Sequence, residues 1–276
     1  MMEKKNHLFS LLLCTIVWMV SCTKELKVNV SNENDRVVID ALVTDQLTPY
    51  TVQLSKTLAI DQGNNFPAIN NAFVTIGDDA GHLDTLPLVT NGLYTTKGAR
   101  QGVVGRTYFL TVQVDGQTYV AQDKLLSVSK IDTMNSVYQA AGSGLGITEN
   151  GYYIYYSFKD IHAPNSLNYY YYEVYRNNIS VLNSSQVGVF SDQFLTSMVE
   201  NYRLPGKFNI GDKALFKLYS LSESAYNFYN GMQQQLQNDG GFFSTPPANT
   251  PSNLSNGALG FFRVSSLSQD SLMVNP

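Results

Sequence analysis

Residues 106–121 read Arg106-Thr-Tyr-Phe-Leu-Thr-Val-Gln-Val-Asp-Gly-Gln-Thr-Tyr-Val-Ala121, and this stretch decides the fold. Arg106–Val114 is rich in β-branched and aromatic residues, which suit a pleated, half-buried surface. Asp115-Gly116 then supplies two residues that tolerate the positive φ of a tight hairpin turn. Thr118–Ala121 carries the chain back as a second strand. The period is two rather than 3.6, so the pair reads as a β-hairpin.

The same period recurs upstream. Val37, Ile39, Ala41 and Val43 alternate with Val38, Asp40, Leu42 and Thr44; Tyr50, Val52 and Leu54 alternate with Thr51, Gln53 and Ser55. Ala72–Ile76 and Gly92–Thr96 are further short strands, and Gly77-Asp78-Asp79 and Asn91-Gly92 are turn sites. Strands at this density, with no helix between them, predict an immunoglobulin-like β-sandwich over residues 36–130.

Downstream, Ser127–Ser136 is polar with isolated apolar residues, which places a domain junction near 128–135. Ala140–Gly146 (AAGSGLG) is small and flexible and reads as a loop. It is no dinucleotide motif, because Ile147 stands where the third glycine belongs. Residues 131–276 are expected to form a second β-sandwich or barrel-like domain. It opens with two tyrosine-rich strands, Tyr152–Asp160 and Asn168–Asn177, and a loop holding His162, Pro164 and Asn165 predicts that they form a hairpin. In the first, Tyr152, Ile154, Tyr156 and Phe158 share a face opposite Tyr153, Tyr155, Ser157 and Lys159. In the second, Tyr170, Tyr172 and Val174 oppose Tyr169, Tyr171, Glu173 and Tyr175. Further strands are Ser180–Leu182, Val187–Phe190 and Lys213–Ser220. One helix is expected over 222–239: Ser222 caps it, Ala225, Phe228, Met232 and Leu236 fall at helical spacing, and Gly240-Gly241 stops it. The proline-rich run Thr245–Asn256 must be an extended loop. Ala258–Ser265 and Ser271–Val274 close a chain that is all-β apart from that helix.

Composition narrows the function. The formal net charge is −4 and no basic run tracks a phosphate backbone, so nucleic acid is not an expected partner. Of the two cysteines, Cys14 lies in the apolar leader and Cys22 at its end, so no disulfide is expected. His82 and His162 both sit in turns, and neither H-E-x-x-H nor G-x-S-x-G occurs. Asp78, Asp79, Asp160, Asp192 and Asp212 lack the spacing of a calcium loop, and turn chemistry already accounts for them. No metal, cofactor or catalytic residue is assigned, and the chain is read as a non-enzyme. The tyrosines carry the one binding hypothesis. If Tyr169, Tyr171 and Tyr175 point away from the core beside Tyr153 and Tyr155, the five form an aromatic shelf for a glycan or a peptide. The competing reading is that other strands and the 222–239 helix cover those rings.

Residues 1–22 set the compartment. Lys4 and Lys5 precede an apolar run, Leu8–Val20, that is too short to span a bilayer, for which about 20 residues are needed. It ends in Met19-Val20-Ser21-Cys22, which resembles a bacterial lipobox. Residues 1–21 are therefore expected to be a lipoprotein signal peptide, Cys22 the lipid attachment site, and 22–35 a polar tether. Thr23 after the cysteine favours the outer membrane. Lys24-Glu25 partly resembles a surface-export signal.

The segment Phe243-Ser-Thr-Pro-Pro-Ala-Asn-Thr-Pro-Ser-Asn-Leu-Ser-Asn-Gly-Ala-Leu-Gly-Phe-Phe262 resembles the C-terminal signature of the domain of unknown function 4249 family. Val37–Val43 and Val52–Ser55 are similar to the family's first repeat of strands, as are Gly105–Val112 and the Asn168–Tyr172 strand. Thr250 and Leu254 stand where that signature often has Ile. The resemblance implies an outer-membrane lipoprotein of Bacteroidetes-type bacteria, often associated with TonB-dependent transport. It brings no reaction and no catalytic residues. The expected partners are the outer membrane, on its cell-surface or periplasmic face, and a TonB-dependent receptor barrel.

Overall fold

A computed structural model describes residues 36–58, 66–159, 166–193, 198–238 and 249–276. The leader, Cys22 and the tether lie outside these residues, as do Asp160, His162 and Gly240-Gly241. Residues Asp35–Pro276 form one compact unit.

Among the described residues the first eight strands are β1 (Val37–Thr44), β2 (Thr51–Lys56), β3 (Phe73–Asp78), β4 (Leu83–Leu86), β5 (Leu88–Thr90), β6 (Leu93–Thr95), β7 (Thr107–Val114) and β8 (Gln117–Lys124). They build two facing sheets, β1-β2-β6-β5 and β4-β3-β7-β8. The inward residues of every one of these strands but β5 meet in one core, which includes Ile39, Val43, Val52, Leu54, Val74 and Leu110. Asp115 and Gly116 take φ 50° and 75° at the β7–β8 turn, as that dipeptide predicts.

The first sheet is completed from the far end of the chain. β16 (Leu259–Ser265) adds beside β1 in parallel, with Val38 opposite Leu259 and Val43 opposite Val264. Phe262 and Val264 thereby join the first core. The residues just before β16 strap the free edge of β8. Ser255 N–H donates to the Val120 carbonyl, and Val120 N–H donates back to Ser255 Oγ. Asn253 Nδ2 donates to the carbonyls of Gln122 and Phe262, while its Oδ1 accepts from Phe262 N–H. Asn253 thus ties the edge of one sheet to the edge of the other and satisfies main-chain groups that a bare edge leaves open.

The second sandwich uses β9 (Ile131–Gln139), β10 (Gly151–Lys159), β11 (Tyr169–Arg176), β12 (Ile179–Ser180), β13 (Val189–Ser191), β14 (Met198–Arg203), β15 (Lys213–Leu221) and β17 (Leu267–Met273). One sheet runs β14-β10-β9. The other runs β12-β11-β15-β17, with β13 beside β12 on β11. The expected hairpin between the two tyrosine-rich strands does not form, because β10 and β11 belong to opposite sheets. A two-residue period fixes which face of a strand is buried but not which strand lies beside it. Here the inward rings meet across the core: Tyr156 and Phe216 centroids are 4.5 Å apart, Phe158 and Tyr170 5.6 Å.

Helix α1 (Glu223–Leu236) follows β15 directly. Ser222 caps it, its hydroxyl accepting from Ala225 N–H, and Ala225 and Phe228 are buried. β9 begins inside the polar stretch read as a junction at 128–135. As an edge strand with one half-covered face it has little apolar periodicity, so its composition reads as a linker.

Candidate functional site

The five tyrosines singled out from the sequence are not brought together. Tyr153 and Tyr155 are on β10, and Tyr169, Tyr171 and Tyr175 are on β11 in the other sheet. Tyr153 is buried; its hydroxyl donates to the Glu149 carbonyl, and the Arg203 guanidinium lies 5.5 Å from its ring. Tyr155 is half-buried on the outer face of β10. Tyr169, Tyr171 and Tyr175 do share the face of β11 that points away from the sandwich core, but α1 packs onto it. Tyr169 stacks on Tyr226 at 4.6 Å and Tyr171 meets Tyr229 at 5.0 Å. Tyr175, beyond the end of the helix, donates to Glu173 Oε2 and lies under Lys217 Nζ at 5.3 Å. Burial, with Glu173 beside it, pushes the Tyr175 hydroxyl up to about 12. The covered reading of this face therefore holds for Tyr169 and Tyr171.

Between the helix and β16 the same rings enclose a cation. Arg263 is 8 % exposed, with its guanidinium 4.5 Å from the Tyr171 ring, 4.7 Å from Tyr219 and 5.5 Å from Tyr229. Its Nη1 has no hydrogen-bond partner among the described residues. Aromatic faces carry negative charge density, so three rings hold this desolvated cation, and the charges of Glu173, Asp40 and Asp123 also act on it. The arrangement joins β16 of the first sandwich to β11, β15 and α1. It is a structural junction.

At one end of the first sandwich a cavity of about 160 Å³ is lined by Tyr50, Asp78, His82, Asp84, Arg100 and Arg106 among others. Its charges are already spent on one another. Asp78 accepts from the main-chain N–H groups of Ala80 and His82, from His82 Nδ1 at 3.0 Å and from Arg106 Nη1 at 2.8 Å. Burial pushes the Asp78 carboxyl up, but these bonds outweigh it and hold the group below the usual carboxylate range. Asp84 takes a forked pair of bonds from Arg100. The other turn acids are similarly engaged. Asp79 accepts from Thr107 N–H, Asp192 from Asn168, and Asp212 from Asn177 Nδ2 and Asn209 N–H. No group of three or more potential metal ligands occurs among the described residues.

The surface that sequence reasoning passed over is the outer face of β4-β3-β7-β8. Register aligns Leu83, Gly77, Phe109 and Gln122 in one row and Thr85, Thr75, Thr111 and Val120 in the next; Phe73, Gln113 and Thr118 form a third. None of these residues is charged. Leu83 is 71 % exposed, Phe73 53 %, Val120 48 % and Phe109 42 %. The 252–255 strap walls one side of this face and makes a trough of about 530 Å³. The signal was present in the sequence, since these are the residues alternating with the core set, but period-two reading assigns the outward set to solvent by default.

No helix among the described residues is long and apolar enough to cross a membrane. The family described as Domain of unknown function (DUF4249) matches residues 23–271. Among curated proteins no sequence matches the chain.

Proposed function

The chain belongs to the DUF4249 family, and from that membership we propose that it is a non-enzymatic interaction protein: an outer-membrane lipoprotein, anchored through Cys22, that serves as an accessory subunit of a TonB-dependent transport system. The observation that carries this reading is the partly apolar sheet face around Phe109 and Val120, uncharged across three rows and bounded by Lys124 in the next. A soluble protein seldom leaves a contiguous patch of this kind without a macromolecule to cover it. The Met19–Cys22 lipobox supports the anchor. Residues 23–35 give that anchor a reach of about 45 Å when extended, enough to let the sandwich lie against a barrel embedded in the same membrane.

The alternative, a glycan- or peptide-binding lipoprotein acting through an aromatic patch, loses its platform where α1 stacks on Tyr169 and Tyr171. The test is recovery of the acylated protein from detergent extracts. A barrel partner should accompany the native chain and be lost from the double variant Phe109→Glu, Val120→Glu. Both positions are exposed, so the variant's stability should stay within about 0.5 kcal/mol. Recovery of the native lipoprotein alone would count against the proposal.

A further inference from the structure

β9 is the outermost strand of its sheet, hydrogen-bonded to β10 on one side. Its partner fixes which main-chain groups face outward. Tyr152 exchanges both main-chain bonds with Phe208, and the Ile154 carbonyl accepts from Leu204 N–H. Even-numbered residues of β10 therefore bond away from β9. Odd-numbered Tyr153, Tyr155 and Ser157 bond toward it, and the residues opposite them, Val137, Asn135 and Thr133, return those bonds. The N–H and C=O groups of Met134, Ser136 and Tyr138 point out of the sheet. They make no main-chain bond to another described residue.

The start of this edge is closed. Ile131 N–H donates to Ser268 Oγ at 2.9 Å. Asp132 is an extra residue in the ladder, since Thr133 faces Ser157 while Ile131 faces Phe158. A bulge carrying a charge is a usual defence against stray pairing. From Thr133 to Gln139 no such defence exists: the run has no charge and no proline, and its register is regular. Several other edges are guarded, and β14, at the far side of the same sheet, carries Glu200 and Arg203. The strap covers β8, β4 and β5 are only 4 and 3 residues long, and β17 carries Asp270 at its middle.

We propose that Thr133–Gln139 receives an extended peptide segment of a partner protein as an added antiparallel or parallel strand. The proposal deepens the interaction reading above and gives it a second contact, on the other sandwich. Outward groups at three alternate positions match the two-residue repeat of a strand. Asn135 and Val137 flank the half-buried Tyr155 on one face, and Met134 and Tyr138 lie on the other, Tyr138 being 57 % exposed. The segment must be uncharged at its centre, because a charge placed there loses water and finds no counter-charge. A flexible segment suits this edge better than a second folded copy. A seven-residue ladder is about 24 Å long and falls short of the roughly 1,200–2,000 Å² that two folded proteins bury in a stable complex.

The test uses the full chain in detergent and a displayed library of random peptides about ten residues long. Selected peptides should be uncharged at their centre and alternate in apolar character. Binding them should slow hydrogen exchange at Met134, Ser136 and Tyr138. Ser136→Pro, which removes one outward N–H without breaking the ladder to β10, should weaken binding about tenfold or more, whereas Ser136→Ala should bind as the native chain does. The proposal is overturned by failure to select any peptide, by equal binding to Ser136→Pro at native melting temperature, by protection confined to other strands, or by sedimentation showing that the pure protein pairs with itself through this edge. None of these outcomes depends on whether a barrel is recovered in the pull-down.

Discussion

Single residues hold the place where the two sandwiches meet. Gly260 takes φ +95°, and a Cβ there would lie 2.1 Å from the Ile39 carbonyl oxygen. That oxygen belongs to β1, which cannot retreat without opening the first core. Gly260→Ala should therefore cost about 3 kcal/mol or more, read as a drop in the urea midpoint. Arg263 poses the opposite problem, a buried cation lodged among three rings. Arg263→Ala should destabilise by about 2–4 kcal/mol. Arg263→Lys should recover little of that, because a compact ammonium does not stack as a planar guanidinium does. Gly260 falls in the 243–262 signature, and Arg263 follows it directly. Its glycines and asparagines were legible as a pattern, but their purpose was not: Gly260 lies against β1, and Asn253 and Asn256 bond β8.

At the scale of elements, strand faces and the helix were readable from the chain, and strand neighbours were not. Inward sets such as Ile154, Tyr156 and Phe158 follow from alternation, and Ser222 with Ala225 and Phe228 announces α1. The β10–β11 hairpin failed because two strands on opposite sheets obey the same face rule as two strands side by side. β9 was missed because an edge strand buries too little to show a period. The tyrosine shelf failed for a related reason: Tyr169 and Tyr171 point away from one core and into another, under α1. The strap is the element most open to test. Asn253→Ala removes two donated bonds and one accepted bond at partly covered main-chain groups and should cost about 2–3 kcal/mol. It should also speed hydrogen exchange along β8 while leaving β15 unchanged.

Across the whole molecule, one buried acid sits where β8, β16 and the start of α1 converge. Asp123 is 6 % exposed and accepts from Val264 N–H. Burial pushes its carboxyl up to about 6, against the opposing bonds from the Ser222 hydroxyl and the main chain and the charge of Arg263. A carboxyl that binds its proton more tightly folded than unfolded favours the native state at low pH. Stability should therefore fall by roughly 3 kcal/mol as pH rises from about 4 to about 6, then level off. Asp123→Asn should flatten that part of the profile in pH-dependent urea titrations.

The parallel pairing of β16 with β1 has a consequence for biogenesis. Arg36 bonds the Gly257 carbonyl across 221 positions of chain, so the first of the described strands waits for nearly the last before its sheet is finished. Long waits of this kind slow folding and leave strands open to wrong pairing. For the exported lipoprotein proposed above that delay is an advantage, since a precursor whose ends have not met stays unfolded enough to thread through a translocation channel.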